Sequence, residues 1–155
     1  MPDLEKAVRY FDSDPNINVA KEIGKYHQNK KNWKEAIKYY ELANTKSTAV
    51  DVETNLLLLQ AYAETQQFEL VVKKANELLE FFPAQPQFYF YAGLGYNQLK
   101  QFKKGKDVLE MGMDYVVDDK TLEANFNIQL GESYNGLGDV KKKDFYFSKA
   151  NQLLK

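Results

Sequence analysis

The chain of 155 residues contains no cysteine, which excludes disulfides, thiolate zinc sites and cysteine nucleophiles together. Its single histidine, His27, has no legible partners with which to form a metal cluster or a catalytic base. Only Arg9 among the 21 basic residues is an arginine, the side chain with the planar fork that grips phosphate best. The formal net charge of −1 gives no overall positive excess, so nucleic acid is not an expected partner. The longest aliphatic run, Leu56-Leu57-Leu58-Leu59, is far short of the roughly 20 apolar residues that span a bilayer, so no membrane insertion is expected. Met1-Pro2-Asp3-Leu4-Glu5 is charged and lacks the apolar centre of a signal peptide. A soluble protein is expected, either cytoplasmic or, if cut from an exported parent, of the bacterial periplasm or cell envelope.

Hydrophobic residues make up 44% of the sequence and charged residues 28%, the balance of a folded chain. Charge is uneven along it. Residues 47–99 carry two lysines against six acids, and residues 100–155 carry ten lysines against nine acids. Four segments share one outline: an apolar-periodic stretch, a short polar turn, a large apolar residue, and a second amphipathic stretch. The turns are Asn29-Lys30-Lys31-Asn32-Trp33, Gln66-Gln67-Phe68, Lys100-Gln101-Phe102 and Gly138-Asp139-Val140. With Trp33, Phe68, Phe102 and Val140 as equivalents, the spacings are 35, 34 and 38 residues. No long window alternates as a strand would, so every stretch reads as helix.

This period and its residues resemble the tetratricopeptide repeat family, whose 34-residue unit is a helix–turn–helix pair. The matching residues are Ile23-Gly24, Ala36, Tyr40 and Ala43 in repeat one, and Leu58, Tyr62, Ala75 and Pro83 in repeat two. Repeat three supplies Tyr89, Gly93, Tyr96, Gly105, Leu109 and Gly112; repeat four supplies Leu130-Gly131, Tyr134, Phe147 and Ala150. His27 stands in place of the Tyr, Leu59 in place of the Gly, and Lys143 in place of a small residue. The resemblance implies an all-α fold, a right-handed α-solenoid of antiparallel helix pairs. Repeats are expected over 17–51, 52–85, 86–123 and 124–155, after a partial helix and connection over 1–16. Small residues such as Gly24, Gly93 and Gly131 are expected to bring the two backbones of a pair close together. Asp51 and Asp119 are expected helix N-caps, and the four extra residues before repeat four a longer connection near 118–121.

Several local patterns carry no chemistry. Asp12-Ser13-Asp14-Pro15-Asn16 opens like a calcium loop, but Ile17 replaces the required Gly and Ile23 the bidentate Glu. Gly93-Leu94-Gly95 follows no strand and is no dinucleotide fingerprint. Lys100, Lys103, Lys104 and Lys106, with Lys141, Lys142 and Lys143, read as solvated turns and helix starts. No catalytic residue, cofactor or metal is expected, and the chain is not read as an enzyme.

The resemblance implies binding of a partner's peptide or helical segment in a concave groove lined by the first helices. The family's inward positions correspond to Asn18, Lys21, Lys25 and Gln28 in repeat one and to Glu53, Leu56 and Gln60 in repeat two. They continue with Gln87, Phe90, Leu94, Asn97 and Gln98 in repeat three and with Asn125, Ile128, Glu132 and Asn135 in repeat four. Amides there can bond an extended backbone as donor and acceptor. Lys21 and Phe90 are expected to lie exposed, so that their replacement changes stability little. Lys21 matches one position of the family's basic carboxylate clamp, but Lys25, Leu57, Gln87 and Tyr91 stand at the others, so that clamp is absent. The alternative function is a spacer or self-association segment of a longer protein. Apolar side chains of the last helix, Leu153, Leu154 and part of Phe145-Tyr146-Phe147, are expected to be left uncovered, so that the chain is either a fragment of a longer array or self-associates through an end.

Overall fold

The computed structural model describes Lys6 and residues 19–155, so the expected helix over 1–16, the segment 12–16 and the groove residue Asn18 lie outside the described residues. Among those described there are eight helices and no strand: α1 (Val19–Asn29), α2 (Trp33–Lys46), α3 (Val52–Glu64), α4 (Phe68–Phe81), α5 (Pro86–Gln98), α6 (Phe102–Met113), α7 (Lys120–Gly136) and α8 (Val140–Leu153). They fall into two compact units, Met1–Gln66 with α1–α3 and Gln67–Lys155 with α4–α8.

Local chemistry sets the helix ends. Three residues separate the helices at each of these turns, and one of the three takes the left-handed conformation: Lys31 at φ 57°, Gln66 at 58°, Lys100 at 60° and Gly138 at 80°. The next residue then bonds back to the helix it leaves, Asn32 N–H to His27 O (2.8 Å), Gln101 to Tyr96 (2.8 Å) and Asp139 to Tyr134 (3.0 Å). Asp51 and Asp119 cap as expected, accepting from the N–H groups of Thr54 and Leu122. Pro86 opens α5 at a position where no N–H is needed. The four extra residues expected near 118–121 lengthen the helix: α7 has 17 residues where α5 has 13. The expected longer connection is mostly an extra helical turn.

At Gly112 an added Cβ would stand 2.2 Å from the Tyr89 Cβ, a close approach of the two helices, while three other glycines have a further use. They make room for a large side chain of the second helix. A Cβ added at Gly24 would stand 2.5 Å from the Tyr40 ring, one at Gly93 would stand 2.3 Å from Leu109, and one at Gly131 would stand 2.5 Å from the Phe147 ring. Unit 2 packs around the buried residues Tyr89, Leu109, Leu122, Phe126 and Leu130. Lys143 does not disturb α8. Phe147 seats on Gly131, Tyr146 stacks on Tyr134 at 5.4 Å, and the Lys143 ammonium turns to Asp144 at 3.5 Å.

Candidate functional site

The first helices carry the candidate groove residues, and in unit 1 these residues bind one another. Lys21 Nζ reaches Asp51 at 3.0 Å and also Glu53, while Lys25 Nζ reaches Glu53 at 2.9 Å. Gln28 donates to Gln60 (3.2 Å) and accepts from the Tyr40 hydroxyl (2.6 Å). Only 15% of the Lys21 side chain is exposed, so it ties α1 to α3 and does not stand open to a ligand. The expectation that Lys21 lies exposed is corrected.

The charges in this network sustain each other. Burial works to lower the pKa of Lys21, but hydrogen bonds from its ammonium to Glu53 and Asp51 outweigh this and raise it. Burial likewise works to raise Asp51, and bonds from Thr54 and Lys21 hold it below its ordinary value. Glu53 is lowered by the bonds from Lys21 and Lys25. Tyr40 is pushed up to about 12, by burial first and then by the charges of Glu22 and Glu53.

In unit 2 two more candidates prove to be packing residues. Asn97 is buried at 6% exposure; its amide donates to the Gln129 carbonyl (2.9 Å) and accepts from Ser133 (2.7 Å). Phe90 is half-buried, packed on the apolar cluster with its ring 6.0 Å from that of Phe126. Asn97 and Phe90 therefore join α5 to α7, and the expectation that Phe90 lies exposed is corrected. Amides on first helices serve as rungs in both units: Gln28 to Gln60 and Asn97 to Gln129 each span 32 residues.

Of the remaining candidates of unit 2, Gln87 accepts from the Gln85 amide. Leu94 and Ile128 are half-buried, and Gln98, Asn125 and Glu132 make no hydrogen bond or ion pair among the described residues. Gln87, Leu94 and Gln98 follow the helical spacing of one face of α5, and Asn125, Ile128 and Glu132 that of one face of α7. Leu56 in unit 1 is half-buried as well.

A second set of contacts was not anticipated from the sequence. Three first-helix tyrosines, Tyr62, Tyr96 and Tyr134, each pair their hydroxyl with the second helix that precedes them. Tyr62 donates to Glu41 (2.5 Å), Asn76 donates to Tyr96 (3.0 Å) and Tyr134 donates to Glu110 (2.8 Å). The signal in the sequence was the recurrence of a polar residue one place after Tyr40, Ala75 and Leu109. His27, at the tyrosine position of repeat one, stacks on Tyr39 at 5.6 Å, and its buried Nε2 has no partner among the described residues. No three potential metal ligands cluster among the described residues. No described helix is long and apolar enough to cross a membrane.

Helix pairs linked by left-handed turns, with tyrosine and amide rungs between successive pairs, define an all-α protein of the helical-solenoid class. Among solved structures the chain is similar to MamA 41-end from Desulfovibrio magneticus RS-1, with a TM-score of 0.80 and 19% identity over 97% of this chain and 81% of that one. It is similar also to MamA AMB-1, with a TM-score of 0.73 and 18% identity over 98% and 90% of the two chains. A further crystal structure of MamA matches with a TM-score of 0.77 and 17% identity over 97% of this chain and 84% of that one. No family model matches the chain, and no curated protein does. At these identities the likeness is one of fold.

Proposed function

We propose that the chain is a tetratricopeptide-type interaction module that binds a peptide or helical segment of a partner protein. The binding face is the open side of α5 and α7. The observation that carries this reading is the pairing of half-buried Leu94 and Ile128 with the uncommitted polar groups of Gln98, Asn125 and Glu132. Apolar anchors beside free donors and acceptors are what an extended or helical peptide needs, whereas the corresponding groups of unit 1 are already bonded to each other. The four repeats over 17–51, 52–85, 86–123 and 124–155 are the units of this module, and the role is binding without chemistry.

The test is a peptide-array screen with the full chain, followed by titration of the captured peptides against Leu94→Glu. Binding should weaken by about tenfold or more, while Lys34→Glu on exposed α2 surface leaves it unchanged. Equal affinity for Leu94→Glu and the parent would remove the assigned face. Self-association is a second reading, favoured by Phe145 at 60% and Leu154 at 57% exposure. Light scattering of the parent and of Phe145→Ser over a concentration series decides it.

A further inference from the structure

Two lysine groups far apart in sequence sit on neighbouring turns at one edge of unit 2. The α5–α6 turn and the α7–α8 turn abut there: a Cβ added at Gly136 would stand 2.3 Å from the Phe102 ring. A groove of about 460 Å³ runs along this junction, lined by Lys100, Gln101, Phe102, Lys103, Lys104 and Leu137. Residues 100–106 and 137–143 hold seven lysines and one acid, in a chain whose net charge is −1. Lys106 pairs with Asp107 (3.1 Å) and Lys143 with Asp144 (3.5 Å). Lys100, Lys103, Lys104, Lys141 and Lys142 make no ion pair among the described residues.

Within the chain Lys104 lies over the Tyr96 ring at 5.9 Å and Lys142 over the Tyr134 ring at 5.0 Å, but none of the five is matched by a carboxylate among the described residues. Helices α1, α2, α3, α4 and α7 each carry an acid in the first turn, where the helix dipole favours one. Helices α6 and α8 carry none and place lysines there instead. Like charges are thus gathered against both the dipole and each other, with no internal counter-charge for five of them. Leu137 at 47% and Val140 at 60% exposure add apolar surface beside the lysines.

We propose that this edge docks an acidic segment of a partner protein: a peptide of Asp and Glu residues carrying an apolar side chain. The carboxylates meet Lys100, Lys103, Lys104, Lys141 and Lys142, and the apolar side chain enters the groove over Phe102 and Leu137. Charge complementarity selects the sign of the partner. The groove selects a peptide, since a flat lipid surface would not fill a concavity. The absence of arginine from the edge argues against phosphate-rich partners, which arginine holds better. The site is distinct in its residues from the open side of α5 and α7 and does not depend on that reading.

The experiment measures fluorescence anisotropy of a labelled Asp/Glu peptide with one central Leu, titrated with the full chain. The parent should bind it, more weakly as salt rises, and Lys103→Glu/Lys104→Glu should lower affinity by about tenfold or more. Lys34→Glu/Lys73→Glu, at exposed lysines on α2 and α4, should leave it within about twofold. Thermal melting of both variants at the parent temperature excludes misfolding as the cause. Leu137→Ser should weaken the Leu-containing peptide more than its Leu-free counterpart. The proposal is overturned if the parent fails to bind, if both double variants lose affinity equally, or if anionic phosphatidylglycerol vesicles or polyuridylic acid compete the peptide away at lower concentration than unlabelled peptide does.

Discussion

The two units solve the same packing problem with opposite chemistry. Lys21 lies three residues before Gly24, and Phe90 lies three residues before Gly93. Each joins its helix to the next first helix. Lys21 does so through carboxylates at Asp51 and Glu53, Phe90 through the ring of Phe126. A second pair of equivalent positions repeats the contrast. Asn55 exchanges two amide bonds with Asn44, at 3.0 and 3.2 Å. Asn127 stands at the matching place in unit 2, where Met113 replaces the second amide. Its Nδ2 donates to the Glu123 carbonyl at 2.8 Å, and its buried Oδ1 has no partner among the described residues. The repeat therefore dictates where helices touch but leaves the kind of contact open. Polar contact brings sensitivity to salt and pH, and apolar contact brings sensitivity to shape.

The largest test of this contrast is Phe126→Ala. Phe126 is fully buried in the unit 2 cluster, and its truncation should cost about 3–5 kcal/mol. Chemical denaturation measures the loss, which should be the same in dilute and concentrated salt. Amide exchange should accelerate more in α5–α8 than in α1–α3; a uniform acceleration would break the distinction.

A smaller effect is expected for Lys21→Met, which removes two ion pairs from unit 1. The loss should be about 1 kcal/mol at low ionic strength and should shrink with added salt. The same network predicts the pH response. Asp51 and Glu53 are depressed in the folded state, so their contribution is present above their ordinary values of 3.8 and 4.5 and is lost as pH falls through the lower folded values. Lys21, raised in the folded state, contributes below its ordinary 10.5 and ceases to as pH rises past its folded value. Tyr40, held neutral up to about 12, adds to the alkaline loss, because its hydroxyl ionises more readily once unfolded. In Lys21→Met the acid-side fall should be shallower than in the parent. An identical acid limb would show that the network contributes nothing.

The smallest effects belong to the turns. Lys31→Gly, at φ 57°, should stabilise unit 1 by roughly 0.5–1 kcal/mol, and Gly138→Ala, at φ 80°, should destabilise unit 2 by roughly 1–2 kcal/mol. Opposite shifts in thermal melting are the expected readout. Changes of the same sign would mean that backbone strain does not distinguish lysine from glycine at these equivalent turns.

Much of the architecture was legible in the residues alone. Helical period, the turn before Trp33, Phe68, Phe102 and Val140, and the caps at Asp51 and Asp119 depend on interactions a few residues long, which a linear reading can follow. The groove assignment was only partly legible. Asn125 and Glu132 stand open, but Asn97, Gln28, Lys21 and Phe90 are committed within the chain. An amide suited to a ligand is equally suited to a rung, and nothing nearby in sequence separates the two uses. The deciding partners lie 30 residues away for Lys21 and Asp51, 32 for Asn97 and Gln129, and 24 for Tyr134 and Glu110. The meeting of the Lys100 and Lys141 groups depends in the same way on Gly136 leaving room for Phe102. Sequence by itself determined which segments are helical and where they turn, because those choices are local. Tertiary structure alone decided which side chains remain free, because that depends on what a distant helix places opposite them.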